Sequence, residues 1–260
     1  MAKWMAWASR PARCARARSK DGIDIERHFR GWRGAMSASV IAQLGPKLPA
    51  DLLARRTELP RKPAGVELSS DRLAVRPYRR SDGEELHSIS NGAAVERLGR
   101  AVRAYDADAL VWRFLPAGPF GDEVQLVAFH DWVESLPDAR AFVVADRPTG
   151  QLVGSLSYLA SDPTHLKVEI GNVWYTPAVQ RAGVNAEATM LLVRHAVRLG
   201  YQRIEWKCHV DNHRSRRAAL ALGFRFEGIQ EGHYIIKDRR RDTAWYRMLA
   251  EELATSSGTP

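Results

Sequence analysis

The chain has 260 residues, 45% hydrophobic and 27% charged, with 39 Lys+Arg against 30 Asp+Glu for a formal net charge of +9. This composition supports a packed core and excludes wholesale disorder, and no run approaches the ~18 consecutive apolar residues of a membrane helix. Two cysteines, Cys14 and Cys208, without C-x-x-C spacing argue against a disulfide framework or a cysteine zinc site, so a soluble, cytoplasmic protein is expected.

The positive charge is local. Residues 1–65 hold 14 Lys+Arg and 5 Asp+Glu, a net of +9, while residues 66–260 hold 25 of each. Residues 1–20 lack acidic side chains and mix Trp4 and Trp7 with arginines, which overlaps the composition of an organelle transit peptide. Arg10, Arg13, Arg16, Arg18 and Lys20 break up any secretory signal. A disordered tail, an expression remnant or an over-extended gene start, with Met5 or Met36 as the true start, is the stronger reading. Residues 37–59 show apolar periodicity (Val40, Ile41, Leu44, then Leu48, Leu52, Leu53) that allows one short helix broken by Pro46 and Pro49, and residues 60–65 read as a linker. The expected organisation is a basic, flexible extension over 1–65, a domain over 66–253 and a disordered tail over 254–260.

Leu73 and Val75, ending at Pro77, predict a strand. Ser81-Asp82-Gly83-Glu84-Glu85 predicts an N-cap and an acidic first turn for a helix to about Ser90. Residues 93–120 give no clear period. Asp122 opens an amphipathic helix carrying Val124, Val127, Ala128, Trp132 and Val133. Residues 141–145 and 152–159 predict a hairpin, and 168–175 a third strand. A helix over 185–199 ends at Gly200. A strand follows over 204–210, with Ile204, Trp206, Cys208 and Val210 on one face. A helix over 214–222 is stopped by Gly223, and strands over 224–236 and 243–249 complete the sequence. The order is a β-rich middle followed by β–α–β–α–β–β, a mixed α/β layer fold of the α+β kind.

Residues 169–188 run as strand, turn and Gln180-x-x-Gly183 directly into a helix. Backbone N–H groups at a helix N-terminus, freed of side-chain bulk by a glycine, suit phosphate oxygens, although the segment is neither G-x-G-x-x-G nor a P-loop. Together with Trp206-Lys207, Asn212-x-x-Ser215-x-x-Ala218, Leu222-Gly223-Phe224 and Arg241-Asp242-Thr243-Ala244-Trp245, this order resembles the GNAT family of acyl-CoA-dependent N-acyltransferases, nearest its RimJ/RimL-type branch. The resemblance covers roughly residues 66–250, with its specific motifs in 169–245. It implies a splayed mixed sheet flanked by helices, with acetyl-CoA as co-substrate in the V-shaped gap and no metal.

The resemblance further implies that Gln180, Arg181, Ala182, Gly183, Val184 and Asn185 form the pyrophosphate turn, with Asn185 standing where the family prefers Gly or Ala and able to adopt a left-handed conformation or cap the helix. Val173, Trp174 and Tyr175 correspond to the strand whose main chain bonds the pantetheine, and Asn212 to a residue that contacts the pantetheine arm. Amine acylation needs an unprotonated acceptor, a donor for the developing oxyanion and a proton for the thiolate. Glu169 is the candidate general base, the alternative being an exposed strand carboxylate paired with Lys167 or Lys207; Glu205 is the second choice. Many members place a tyrosine seven residues after the Asn, where this chain has Ala219. Ser215 is therefore the candidate proton donor, with helix capping as its alternative.

His195 reads as a packing residue, and His209 as either an acceptor-cleft or a solvated side chain. Arg214, Arg216 and Arg217 either contact the adenosine phosphate or form a solvated face. Residues 237–241 read as a basic hairpin turn that could also approach an acidic acceptor. The function expected is acetyl transfer from acetyl-CoA to a primary amine: a protein N-terminal amine, a lysine or a small molecule. The alternatives are a non-catalytic CoA-binding or partner-binding module, and nucleic-acid or ribosome association through the basic N-terminus. No membrane or nucleic-acid partner is expected for the domain, and a homodimer is compatible with the pattern.

Overall fold

Alternating apolar residues build the strands of the computed structural model, which describes residues 47–256. The expectations for residues 1–46, the transit segment and the start sites among them, and for residues 257–260 lie outside the described residues. In chain order the elements are α1 (Ala50–Glu58), β1 (Leu68–Ser69), β2 (Leu73–Pro77), α2 (Gly83–Ser88), β3 (Val95–Arg97), β4 (Arg100–Val102), α3 (Glu123–Ser135), β5 (Arg140–Asp146), β6 (Leu152–Asp162), β7 (Lys167–Tyr175), α4 (Val184–Leu199), β8 (Arg203–His209), α5 (His213–Ala221), β9 (Arg225–Ile236), β10 (Arg239–Leu249) and α6 (Ala250–Ser256).

Eight strands form one sheet in the order β1-β2-β5-β6-β7-β8-β10-β9, and β3 and β4 form a separate hairpin. Neighbours run antiparallel except β7 and β8, which are parallel. That join is short: Lys167–Ile170 pair with Arg203–Trp206, and beyond them the two strands separate. Near the divergence β7 carries a bulge, with a register shift between Ser155 and Ser157 of β6 and a left-handed Asn172 (φ 50°).

Each sheet face has its own core. Val168, Ile170, Ile204, Trp206, Cys208 and Tyr246 cluster with Leu192, Val193 and Ala196 of α4. On the other face Val143, Leu152 and Trp174 pack with Leu86 of α2 and Leu126 and Val133 of α3. Ile204, Trp206 and Cys208 thus share one face as their spacing requires, although β8 ends at His209, before Val210. Asp122 caps α3, its Oδ1 accepting from the Gln125 amide at 2.8 Å. Gly200 closes α4 in the left-handed conformation (φ 111°). The acidic run at 81–85 behaves differently from expectation: Arg80–Asp82 is a 3-10 turn, and the Asp82 carboxylate is buried in a bidentate pair with Arg76 (2.9 and 2.7 Å) rather than capping α2.

The unassigned stretch 93–120 contains the β3–β4 hairpin and a π-helical turn, Asp108–Trp112. Helix α1 lies within 37–59, where the periodicity allows a short helix, but inside the segment expected to be a flexible extension, and the compact unit that includes the sheet begins at Pro49. Arg56 Nε donates to the Thr164 carbonyl at 2.8 Å. Lys62 Nζ donates to the carbonyls of Glu134, Leu136 and Ala139 at the end of α3, at 2.6, 3.1 and 2.8 Å. Residues 49–65 therefore pack with the domain. Helix α6 likewise runs to Ser256, into the stretch expected as a tail. No helix among the described residues is long and apolar enough to cross a membrane.

Candidate active site

The gap between β7 and β8 brings the motif residues together. β7 leads through Thr176 and a 3-10 turn, Pro177–Val179, to Gln180, whose Nε2 donates to the Tyr175 carbonyl at 3.2 Å and to the Leu110 carbonyl at 3.1 Å. The chain then reverses through two left-handed residues, Arg181 (φ 62°) and Gly183 (φ 81°), and enters α4 at Val184. No side chain caps this helix end, so its first-turn amides lack a protein partner of that kind, and the helix dipole adds positive potential there. A Cβ on Gly183 would meet nothing within 4 Å, so the space beside this turn is open. The one first-turn acid, Glu187, is bonded to Ser70 and lies 3.4 Å from Arg72.

Asn185 neither adopts the left-handed conformation nor caps the helix. It sits inside the first turn of α4, its Oδ1 accepting from the Thr189 hydroxyl at 3.2 Å; the left-handed backbone is supplied by Arg181 and Gly183 instead. Val184 is buried in the core and Arg181 is exposed. Trp174 and Tyr175 are buried with the indole Nε1 and the phenol hydroxyl unpartnered. Trp174 packs on Trp112 with ring centroids 5.1 Å apart.

Successive residues of β8 point to opposite faces, so two sets of chemical groups approach the gap from two sides. On the α5 side, Trp206 Nε1 donates to Ser215 Oγ at 2.9 Å, and the serine hydroxyl, still able to donate, is within hydrogen-bonding reach of the buried Cys208 thiol. The helix cap here is Asn212, whose Oδ1 accepts from the Ser215 amide at 3.1 Å; the capping role weighed for Ser215 belongs to its neighbour. Asn212→Ala is expected to cost about 1 kcal/mol of stability, read as a fall in the denaturation midpoint, and an unchanged midpoint would show the cap to be idle.

On the opposite side lies an acid–base cluster. Lys207 Nζ is 2.8 Å from Glu169 and 3.1 Å from Glu205, and sits 4.2 Å from the centroid of Trp245. Glu169 is largely buried rather than exposed, and its partner is Lys207, not Lys167. Burial pushes the Glu169 carboxyl above the usual carboxylate range, only partly offset by Lys207. Burial acts the same way on Glu205, but the hydrogen bond from Arg203 and the charge of Lys207 outweigh it and hold Glu205 low. Burial also opposes the charge on Lys207, and the two carboxylates overcome it, raising its pKa. Of the two acids, Glu169 is thus the better proton acceptor near neutral pH. His209 lies on this side, its Nδ1 accepting from the Asp211 amide at 3.0 Å and its ring 5.3 Å from Phe114. Arg214 and Arg216 are bonded to protein oxygens, Arg214 to the carbonyls of Ala109 and Leu110 and Arg216 to Val210 O and Tyr246 Oη.

The sheet is thus parted between two parallel strands, with a glycine turn and an uncapped helix end beside the parting and the Glu169 carboxylate at its root. Residues 72–225 match the family model for the acetyltransferase (GNAT) domain, and the chain belongs to that family, whose members take their acetyl group from acetyl-CoA. It is similar to the ribosomal-protein-serine acetyltransferase of Escherichia coli strain K12, with 29% identity over 102 residues. That match covers 39% of this chain and spans about half (56%) of the relative's length, and it places the similarity in the RimJ/RimL-type branch. Among solved structures, a GCN5-related N-acetyltransferase from Brucella melitensis shares 31% identity with a TM-score of 0.65, covering 74% of this chain and 82% of its own. A probable GNAT acetyltransferase from Chromobacterium violaceum shares 28% identity with a TM-score of 0.69, covering 82% and 98%.

Proposed function

We propose that this protein transfers an acetyl group from acetyl-CoA to a primary amine by direct attack within a ternary complex. The observation that carries the reading is the largely buried Glu169 carboxylate, 2.8 Å from Lys207 Nζ, at the root of the gap whose far end is the uncapped N-terminus of α4. The donor supplies an activated thioester. The chain's own groups do the rest. The amides from Gly183 onward hold the pyrophosphate, and the freed edge of β7 from Val173 to Tyr175 aligns the pantetheine. Gln180, Arg181 and Ala182 shape the turn, and Asn212 borders the arm. Glu169 accepts a proton from the acceptor ammonium, directly or through water, so that the amine lone pair can form the new C–N bond. As the C–S bond breaks, the hydroxyl of Ser215 delivers a proton to the departing sulfur and is restored by the proton that the newly acylated nitrogen sheds.

Gly183→Ala tests the phosphate turn. The open surroundings mean that any stability cost comes from the left-handed backbone alone, about 1–2 kcal/mol, while the new methyl stands beside the amides proposed to hold phosphate. A several-fold rise in the KM for acetyl-CoA is expected, and an unchanged KM would remove the turn from the cofactor site. The reading as a whole is tested with acetyl-CoA and a panel of amines, a ribosomal-protein N-terminal serine peptide among them, by following thiol release and the mass of the product. CoA binding by calorimetry without turnover of any amine would favour the non-catalytic module instead.

A further inference from the structure

Of the buried side-chain polar atoms without a hydrogen-bond partner among the described residues, four gather on the outer strands beside Glu169: His233 Nδ1, Arg241 Nε, Thr243 Oγ1 and Trp245 Nε1. They form one neighbourhood. Trp245 lies under the Lys207 ammonium that binds Glu169, and the His233 ring is 5.4 Å from Trp245 and 3.7 Å from Tyr234. The Arg241 guanidinium carbon is 5.7 Å from the Tyr234 ring and close enough to Glu169 for their charges to interact. The β9–β10 turn above them reaches across to the Asp108–Trp112 turn, where Lys237 Nζ donates to the Trp112 carbonyl at 2.8 Å. Through Lys207 and Trp245 these groups adjoin Glu169 on its side of the sheet.

Their chemistry specifies what is missing. Arg241 Nε and Trp245 Nε1 are donors only, and Thr243 and His233 can donate or accept, so a ligand that satisfies them must offer acceptor atoms, which an ammonium group does not. The charges point the same way. Lys207 is matched by Glu169 and Glu205, Arg203 by Glu205 and Glu227, Arg247 by Glu252, Lys237 by Asp108 and Arg240 by Asp242. Arg241 has no carboxylate within ion-pair distance among the described residues, and burial weakens its hold on its proton. An unpaired, half-buried guanidinium is costly unless a ligand anion completes it.

Resting on the acetyl-transfer reading, we propose that the acceptor is a primary amine that also carries a carboxylate, and that Arg241, helped by Trp245 and Thr243, binds that carboxylate while the amine faces Glu169. The carboxylate can come from a free amino acid or from an acidic residue next to a peptide N-terminus. Paired acceptors that differ only in carboxylate against carboxamide test this: glycine and glycinamide, γ-aminobutyrate and its amide, and C-terminally amidated peptides beginning Ser-Asp and Ser-Asn. A preference of about tenfold or more in kcat/KM for the carboxylate member is expected in at least one pair, as a charged hydrogen bond in a buried site provides, and the responding pair identifies the source. In Arg241→Gln the preference should collapse toward unity, and Arg241→Lys should restore part of it. Thermal shifts of the unaltered protein with CoA and each pair read the same preference without turnover or a variant. Equal shifts and equal rates for the two members, a preference that survives Arg241→Gln, or a raised acetyl-CoA KM in place of a changed preference would overturn the inference. Turnover of none of the amines would speak against the acetyl-transfer reading itself, while the thermal shifts would still decide the carboxylate question.

Discussion

Glu169→Gln is expected to lower kcat at neutral pH by about 100-fold or more, the usual scale of a lost general base, equivalent to roughly 2.7 kcal/mol of barrier. The carboxamide keeps the shape of the side chain and can still face Lys207, so the fold should survive and the loss should fall on the chemical step. The pH profile separates this from a packing effect. Glu169 works as the carboxylate, and burial raises its pKa above the ordinary value. Activity toward an acceptor of low amine pKa should therefore climb as pH rises through a limb lying above the usual carboxylate range. That limb should vanish in Glu169→Gln. A variant that retains the full rate at every pH would remove Glu169 as the base.

Lys207→Met should have the largest effect on stability. The side chains of Glu169, Glu205 and Lys207 are only 13%, 6% and 9% exposed, and removing the cation leaves two buried carboxylates facing each other. Breaking a buried pair in this way costs on the order of 3–5 kcal/mol, a fall in Tm on the order of 10 °C for a domain of this size. The pH dependence has a definite sign. The folded-state pKa of Lys207 is raised, so its contribution is complete below the unfolded lysine value and is lost only as pH rises through the folded value. Near neutrality the deficit of the variant is thus flat. Toward acid it shrinks, because Glu169, already raised, takes up a proton and ceases to need a cation. A Tm within a degree or two of the unaltered protein at pH 7 would show the cluster to be energetically idle.

The parts of this fold that follow from near neighbours in sequence were legible. Gln180 to Gly183 before an amphipathic run, Gly200 closing it and Gly223 after the next helix are local signals, and α4 and α5 lie where those signals put them, within a residue or two. The stretch from 93 to 120 was not legible, because β3 and β4 are three residues each and the Asp108–Trp112 turn is gripped from afar by Gln180, Arg214 and Lys237. The candidate base was readable as a residue but not as an environment. That Glu169 faces Glu205 and Lys207 depends on the parallel register of β7 on β8, and register between strands separated by a helix is not written in either strand. Arg241 read as one more cation in a basic turn, and only the placement of every surrounding carboxylate distinguishes it from Arg240.

The three carbonyls held by Lys62 decide where this chain can be cut. A protein trimmed to begin at Val66, at the boundary that composition suggests, would lose both α1 and the ammonium that closes the end of α3, and the carbonyls of Glu134, Leu136 and Ala139 would lose that donor. Any weakened RNA binding of such a shortened protein would then mix lost charge with lost folding. Trimming before Pro49 avoids the confusion: residues 1–48 hold 10 Lys+Arg and 3 Asp+Glu, so +7 of the total +9 leaves with them while every donor to α3 stays in place.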